Sequence, residues 1–416
     1  MQGSGWCVAF VLVSCAAALS AQRTWIVDPE SRAGFDFADL PPAIAASAAG
    51  DTIHVRGSNT RYITFGASVS KGLTITGEGE VHRISYGWLS VYNLPASQRF
   101  VVRDLSPESA MSMTVPPLRM DYGISIGNCE GSVHLQNLRC TPSQPGWPFP
   151  FSTFRVSIRY SRHVTLSGCK TVGGTGGGLD VIGGTVLAQD CEFGGNTAES
   201  IFGSNSFNLG AYPAASITLS EVLAVDSRFS GGGGWVGYLC SFGQQNQGGI
   251  LMASSRVVLV GTSSVYGGSS PNWPPCTGLH PAPCIVGDGT VIADPAAVLD
   301  PPPTVAVTRR AEPVTRSSRV SFGGTLRLDL AATANALAAT FVSLPGTVQP
   351  SAHGTLWLDP ATMALVDLAA LDAAGLRSIQ LHGFTVPDDV PLLFQTATLV
   401  GGVVSLTVPA VTVVGQ

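Results

Sequence analysis

Between Arg155 and Asp180 the chain brings together side chains able to do chemistry: Arg155, Arg159, Arg162, His163, Lys170 and Asp180. Guanidinium and ammonium groups neutralise an anionic substrate, while an imidazole or carboxylate takes up a proton. A solvated protein face displays the same residue types, so the set defines candidates rather than a site. Asp190 and Asp226 form a second candidate, because they share a position in the repeat described below. Carboxylates about 5 Å apart suit a retaining glycosidase. Aspartates just ahead of a bend more simply cap turns through backbone amides, and that reading takes precedence.

Aromatic residues supply a different chemistry. Trp147, Trp235, Tyr238 and Trp273, with Phe149 and Phe151, stand in long stretches rich in Pro and Gly. Their apolar faces suit stacking on sugar rings, although the same residues also anchor long loops to a protein body. The cluster Cys276-Thr-Gly-Leu-His280-Pro-Ala-Pro-Cys284 offers at most three zinc ligands at unusual spacing. A disulfide closing that loop is the better reading. Gly173-Gly-Thr-Gly-Gly-Gly178 lacks the following Lys-Ser/Thr of a phosphate loop, and Gly231-Gly-Gly-Gly234 is bend material. No cofactor is expected, except Ca²⁺ if the chain eliminates across a uronic acid.

Composition narrows the function classes. The 416 residues are only 12% charged, with formal charge −5 and mean hydropathy +0.29. Nucleic-acid binders carry a basic footprint, so nucleic acid is excluded as an expected partner. Lysine occurs only at Lys71 and Lys170, which leaves no polybasic patch for a membrane surface. Trp6 to Ser20 is an apolar run ending in small residues, read as a secretory signal over residues 1–20. Leu12-Val13-Ser14-Cys15 offers a minority alternative, lipid attachment at Cys15. No transmembrane span is expected beyond it. An exported chain retains Cys129, Cys140, Cys169, Cys191, Cys240, Cys276 and Cys284, an odd set in an oxidising compartment.

These residues sit in a repeat. Aligned on Glu78, Leu105, Leu138, Cys169, Cys191, Ser227 and Ser263, the chain shows apolar residues five and three positions earlier. The first set is Leu73, Phe100, Val133, Val164, Val186, Val222 and Val258; the second is Ile75, Val102, Leu135, Leu166, Ala188, Ala224 and Val260. Gly77, Asp104, Asn137, Gly168, Asp190, Asp226 and Thr262 immediately precede the anchors as turn formers. A second family of short strands begins at Gly123, Arg155, Gly178 and Gly249. Anchor spacings of 27, 33, 31, 22, 36 and 36 residues fit a coil of fixed circumference bearing loops of variable length. Stacked coils bury ladders of like residues, and Cys169 and Cys191 share a rung position as a disulfide or as two buried thiols. Leu187, Leu223 and Leu259 follow the ladder valines; facing outward, they form an apolar stripe that needs a cover.

The stretch Phe35-Asp-Phe-Ala-Asp-Leu-Pro-Pro-Ala-Ile-Ala-Ala-Ser-Ala-Ala-Gly-Asp-Thr-Ile-His-Val55, followed by Lys71-Gly-Leu-Thr-Ile-Thr-Gly-Glu-Gly79, resembles the entry of the pectin-lyase-like superfamily. The resemblance covers roughly Trp25 to Pro301. It implies an all-β, right-handed parallel β-helix solenoid, its open end capped by an N-terminal helix at about Phe37 to Ala49. It also implies acidic polysaccharide as a substrate class, acted on by lyases or hydrolases. The paired Asp-Asp and His-Gly runs of the pectin hydrolases are absent, as are the Asp/Arg signatures of the pectate lyases.

The expected organisation is a β-helix over residues 23–300, then a linker or first strand over 301–318. A small antiparallel β-sandwich-like domain follows over 319–416, covering the far end of the solenoid or acting as a sorting module. Its strands are expected at Gly324–Leu330, Gly354–Pro360, Ser378–Leu381, Leu392–Leu399 and Val403–Val414. The functional expectation is a secreted or surface-associated protein, structural or in contact with a polysaccharide or cell-surface glycan and without an assignable reaction. The alternative is a polysaccharide lyase or glycoside hydrolase, using Arg159, Arg162, His163, Lys170 and Asp180.

Overall fold

A computed structural model describes residues 22–62, 67–78, 81–84, 88–109, 121–139, 153–171, 177–195, 211–233, 246–269, 281–318, 323–383 and 391–413. Up to Arg309 the strands pair only in parallel, and they form a seventeen-stranded sheet, a five-stranded sheet and a three-stranded sheet. From Val314 onward the named strands pair antiparallel. The arrangement is all-β and compatible with a β-helix-like fold.

Each rung visits three faces. In one rung Leu179–Ile182 lies on what is called here the open face, Thr185–Gln189 on the covered face, and Glu192–Gly194 on the third face. The open and covered faces merge into one sheet because Ile250–Val260 and Ile285–Ala293 run through the corner unbroken. Alternate residues point inward, as the two-residue period of a strand requires. Val133, Val164, Val186 and Val222 stack in register, and so do Leu135, Leu166, Ala188 and Ala224; all are fully buried. Phe193 and Phe229 stack on the third face with ring centroids 4.9 Å apart.

One tight corner of each rung explains the turn formers. Asp104, Asn137, Gly168, Asp190 and Asp226 each hold a left-handed backbone, with φ between 48° and 61°, between the covered and third faces. Single left-handed residues turn the chain sharply, and Asn, Asp and Gly adopt that conformation most cheaply. Behind these corners, hydroxyls satisfy the amides the bend releases. The Cys191 N–H donates to Ser227 Oγ at 3.1 Å, and the Ser227 N–H to Ser263 Oγ at 3.2 Å.

The final repeat departs from the expected register. Val257 and Leu259 point inward and Val258 and Val260 outward, because Val222 pairs with Val257 rather than Val258. The left-handed residue is Gly261, with φ 64°, and Thr262 adds a position before Ser263. The outward stripe is therefore Leu187, Leu223 and Val258, not Leu259.

The one helix among the described residues is Leu40–Ala46, shorter than expected. Asp39 caps it by accepting from the Leu40 N–H, and prolines occupy its first turn. Ser47 turns extended and ends it. Leu40, Ala43 and Ile44 join the same core as Val27 and Ile53.

Parallel pairing continues past residue 300, since Val307–Arg309 adds to Ile285–Ala293. The antiparallel part comprises a three-stranded sheet of Val314–Ser317, Leu326–Ala331 and Leu376–Leu381. A five-stranded sheet contains Leu337–Ser343, Ala364–Ala370, Pro391–Val400, Val403–Leu406 and Ala410–Val413, and Pro345–Ser351 pairs with Gly354–Leu358 as a hairpin. The first two strands of the five-stranded sheet have no counterpart among the expected ones. Leu326, Leu328, Ala338 and Phe394 centre this part's own core.

This part lies alongside the covered face. Leu187, Leu223, Val225, Val258, Val260 and Ile292 pack with Val314, Trp357, Leu358, Leu393, Val408 and Val411. Contact runs from the strand Ser132–Gln136 to the strand Ile285–Ala293, roughly 24 Å at the usual inter-strand spacing. The apolar stripe is thus covered by the antiparallel part, which straps the face lengthwise.

Candidate functional site

With one face strapped, the open face is left to present side chains. Its outward central column reads Ser68, Ser90, Ser125, Ser157, Asp180 and Ser216 in successive register. Asp180 breaks this row of hydroxyls with a carboxylate only 6% exposed. Arg155 Nη2 stands 2.7 Å from Asp180 Oδ2 and Arg159 Nη2 4.0 Å from it, while Ser157 Oγ donates to the same oxygen at 3.3 Å. The geometry follows from the strand: Arg155, Ser157 and Arg159 alternate outward while Val156 and Ile158 point into the core. One carboxylate thus pairs closely with Arg155 and stands 4.0 Å from Arg159, whose side chain remains 57% exposed. A guanidinium fork held in this way can receive a carboxylate, sulfate or vicinal hydroxyl pair.

Two exposed tyrosines flank Arg159. Tyr92, Gly127 and Arg159 occupy one register, and the Tyr92 ring packs against Gly127. A Cβ at position 127 would stand 2.4 Å from the Tyr92 ring. Tyr160, at the corner with φ 50°, packs in the same way against Gly183, where a Cβ would stand 2.7 Å from its ring. Tyr92, Tyr160 and Ser157 were missed by sequence reasoning. The signal was a glycine one rung after each tyrosine, readable only once the register is known.

The other candidates are dispersed. Arg162 is exposed at the corner beyond Tyr160. His163 is buried on the covered face, where the Val348 N–H of the strap reaches its ring. Lys170 lies on the third face and pairs with Glu192 at 2.8 Å. Only Arg155, Arg159 and Asp180 are brought together. Asp190 and Asp226 stand at the corner between the covered and third faces. Asp226 accepts from the Thr262 N–H and hydroxyl at 2.8 and 2.9 Å, the turn-capping role, and also pairs with Arg316.

Trp147, Trp235, Tyr238 and Trp273 lie outside the described residues, as do Phe149, Phe151, Cys276 and His280. Their segments 140–152, 234–245 and 270–280 share one position in chain order, each leading into an open-face strand. Segments 110–120, 172–176 and 196–210 occupy the same position.

Cys129, Cys169, Cys191 and Cys284 are buried free thiols, so the Cys169–Cys191 rung pair is a thiol stack rather than a disulfide. Burial pushes the Cys191 thiol well up, reinforced by its neighbour Cys169; burial raises Cys284 to about 11. Neither is a ready nucleophile. Among the described residues no group of three His, Cys, Asp or Glu side chains is placed to hold a metal, and no helix is long and apolar enough to cross a membrane. No protein-family model matches the chain, and no curated protein matches it.

Proposed function

We propose that the chain is a secreted or surface-associated right-handed parallel β-helix of the pectin-lyase-like kind, and that its open face contacts a glycan. Residues 1–20 act as the export signal, the helix Leu40–Ala46 closes the N-terminal end of the solenoid, and the antiparallel part is a β-sandwich-like strap. The observation that carries the reading is Asp180 paired with Arg155 beside Arg159 on the open face, with Tyr92 and Tyr160 exposed beside them. Charged forks and aromatic faces together suit a ligand with polar edges and apolar ring faces, which describes a sugar chain. An acidic glycan fits best, since its carboxylates would meet Arg159.

The test is affinity electrophoresis and calorimetry of the purified chain against neutral and uronic-acid polymers, with and without Ca²⁺. Retention by uronic-acid polymers that weakens about tenfold in Arg159→Ala is the expected result. Equal migration in every gel would overturn the binding reading. Release of unsaturated products during the same incubations would instead assign a lyase activity, with Asp180 and the arginines as its first suspects.

A further inference from the structure

The strap and the covered face meet in two chemically different zones. At the later rungs the contact is apolar, through Leu187, Leu223 and Val258. At the earlier rungs it is polar, and two histidines lie within it. The central outward column there reads Val101, His134, Thr165 and Leu187. His134 is 2% exposed and His163 6%. His134 Nδ1 bonds Thr165 Oγ1, while its buried Nε2 has no partner among the described residues.

The hairpin formed by Pro345–Ser351 and Gly354–Leu358 reaches this zone. Its Val348 N–H meets the face of the His163 ring, 3.2 Å from both Nδ1 and Nε2, since an in-plane approach between the nitrogens would collide with Cε1. The face of a neutral imidazole accepts an N–H weakly; the face of a cationic imidazolium repels it. The charge around His134 also opposes an imidazolium there. On the preceding strand, Arg103 is diagonal to His134 across the ladder, and Arg99 flanks the other diagonal. Among the described residues, the acidic groups facing this end are engaged by other partners. Asp104 lies 4.0 Å from Arg103 and accepts from Asn137, and the Asp359 charge acts on Arg99. Glu221, on the same outward column as Thr185, is engaged by Arg256 two rungs beyond His163.

We propose that His134 and His163 make this hairpin a pH-operated latch, closed on the covered face when both rings are neutral and released when they are protonated. The apolar zone and the Arg316–Asp226 pair keep the rest of the strap in place, so release is local. Burial, with Arg103 adding to it, pushes the His134 ring down to about 3, so the closed form resists the proton that an opened form takes near the ordinary value of 6.5. The closed form therefore loses ground progressively as pH falls below about 6.5, by up to tenfold per unit through His134. The device is independent of any ligand on the open face.

Hydrogen exchange of the full chain, corrected for intrinsic rates and compared at neutral pH and about pH 5, tests it. Peptides covering residues 345–358 should lose roughly tenfold or more of their protection at the lower pH. Peptides covering Val186–Val225 should keep theirs. The double variant His134→Gln with His163→Gln, compared in a His353→Gln background so that the exposed histidine of the hairpin's own turn is absent, retains an acceptor at 163 and has no ring to protonate on the covered face, so its hairpin protection should not change with pH. Unchanged protection in the wild-type hairpin, a loss spread evenly over the chain, or an equal loss in the double variant would each overturn the latch. Should the double variant not fold, His163→Gln alone must at least halve the pH slope for the latch to stand.

Discussion

Arg316 places its Nε 2.6 Å from Asp226 Oδ2, joining the first antiparallel strand to a corner aspartate 90 residues earlier in the chain. The same carboxylate caps the next corner through Thr262. Asp226 therefore does two jobs, holding a turn and clasping the strap to the parallel body.

Removing the clasp should be measurable. Burial pushes the Asp226 carboxyl up, but the hydrogen bonds from Arg316 and Thr262 outweigh it and hold it below its ordinary 3.8. Its stabilisation is thus present above that value and lost as pH falls through the lowered one. Arg316→Ala should cost about 1–2 kcal/mol in urea unfolding at neutral pH, and less in strong acid. A cost independent of pH would show that the carboxylate is not the partner.

The apolar zone should be more costly to disturb. Leu187 is fully buried between the covered face and the strap. Leu187→Ala should destabilise by about 2–4 kcal/mol. Because the stripe belongs to the strap contact, the variant should also bind a hydrophobic dye in its native state; a loss of stability without dye binding would assign the damage to the inner core instead.

The inner stack makes a matching control. Phe193→Ala removes one ring of the Phe193–Phe229 stack and should cost about 3–5 kcal/mol. It should leave protection of the hairpin 345–358 proportionate to the rest of the chain, by hydrogen exchange.

Corner residues should discriminate by backbone and not by charge. Asp190 sits at φ 53° and is exposed. Asp190→Gly should be nearly neutral, whereas Asp190→Val should cost about 1–2 kcal/mol, since a β-branched residue resists the left-handed region. Equal losses in both variants, by thermal unfolding, would point to the carboxylate.

The thiols give a chemical check. Peptide mapping after alkylation of the native protein should leave Cys169 and Cys191 unmodified until denaturant is added, and no peptide should link them. A Cys169–Cys191 cross-link would contradict the stacked-thiol arrangement.

Much of the parallel body was legible because its rules are local. A two-residue period sets which valines and leucines point inward, and a single Asp, Asn or Gly before five of the seven anchors sets the bend. The reading slipped by one residue at Val258, where Gly261 and Thr262 lengthen a corner; a period counted back from Ser263 has no means of placing an extra residue. Leu337–Ser343 and Ala364–Ala370 escaped notice because their alternation is blurred by alanine. The candidate site was legible only in part. Arg155, Arg159 and Asp180 stand out as charged residues in a sparsely charged chain, but the same list contained His163 and Lys170.

The sequence by itself determined that the chain is all-β, that it repeats, where its corners fall, and that an outward apolar stripe needs a cover. These follow from side-chain period and left-handed propensity, both properties of a few neighbouring residues. Only the tertiary structure decided which face each charged residue occupies, that Asp180 gathers Arg155 and Arg159 while His163 disappears beneath Val348, and that the strap lies along the covered face. Those relations join residues between 21 and 222 positions apart, and nothing in local spacing encodes which rung meets which strand of the strap.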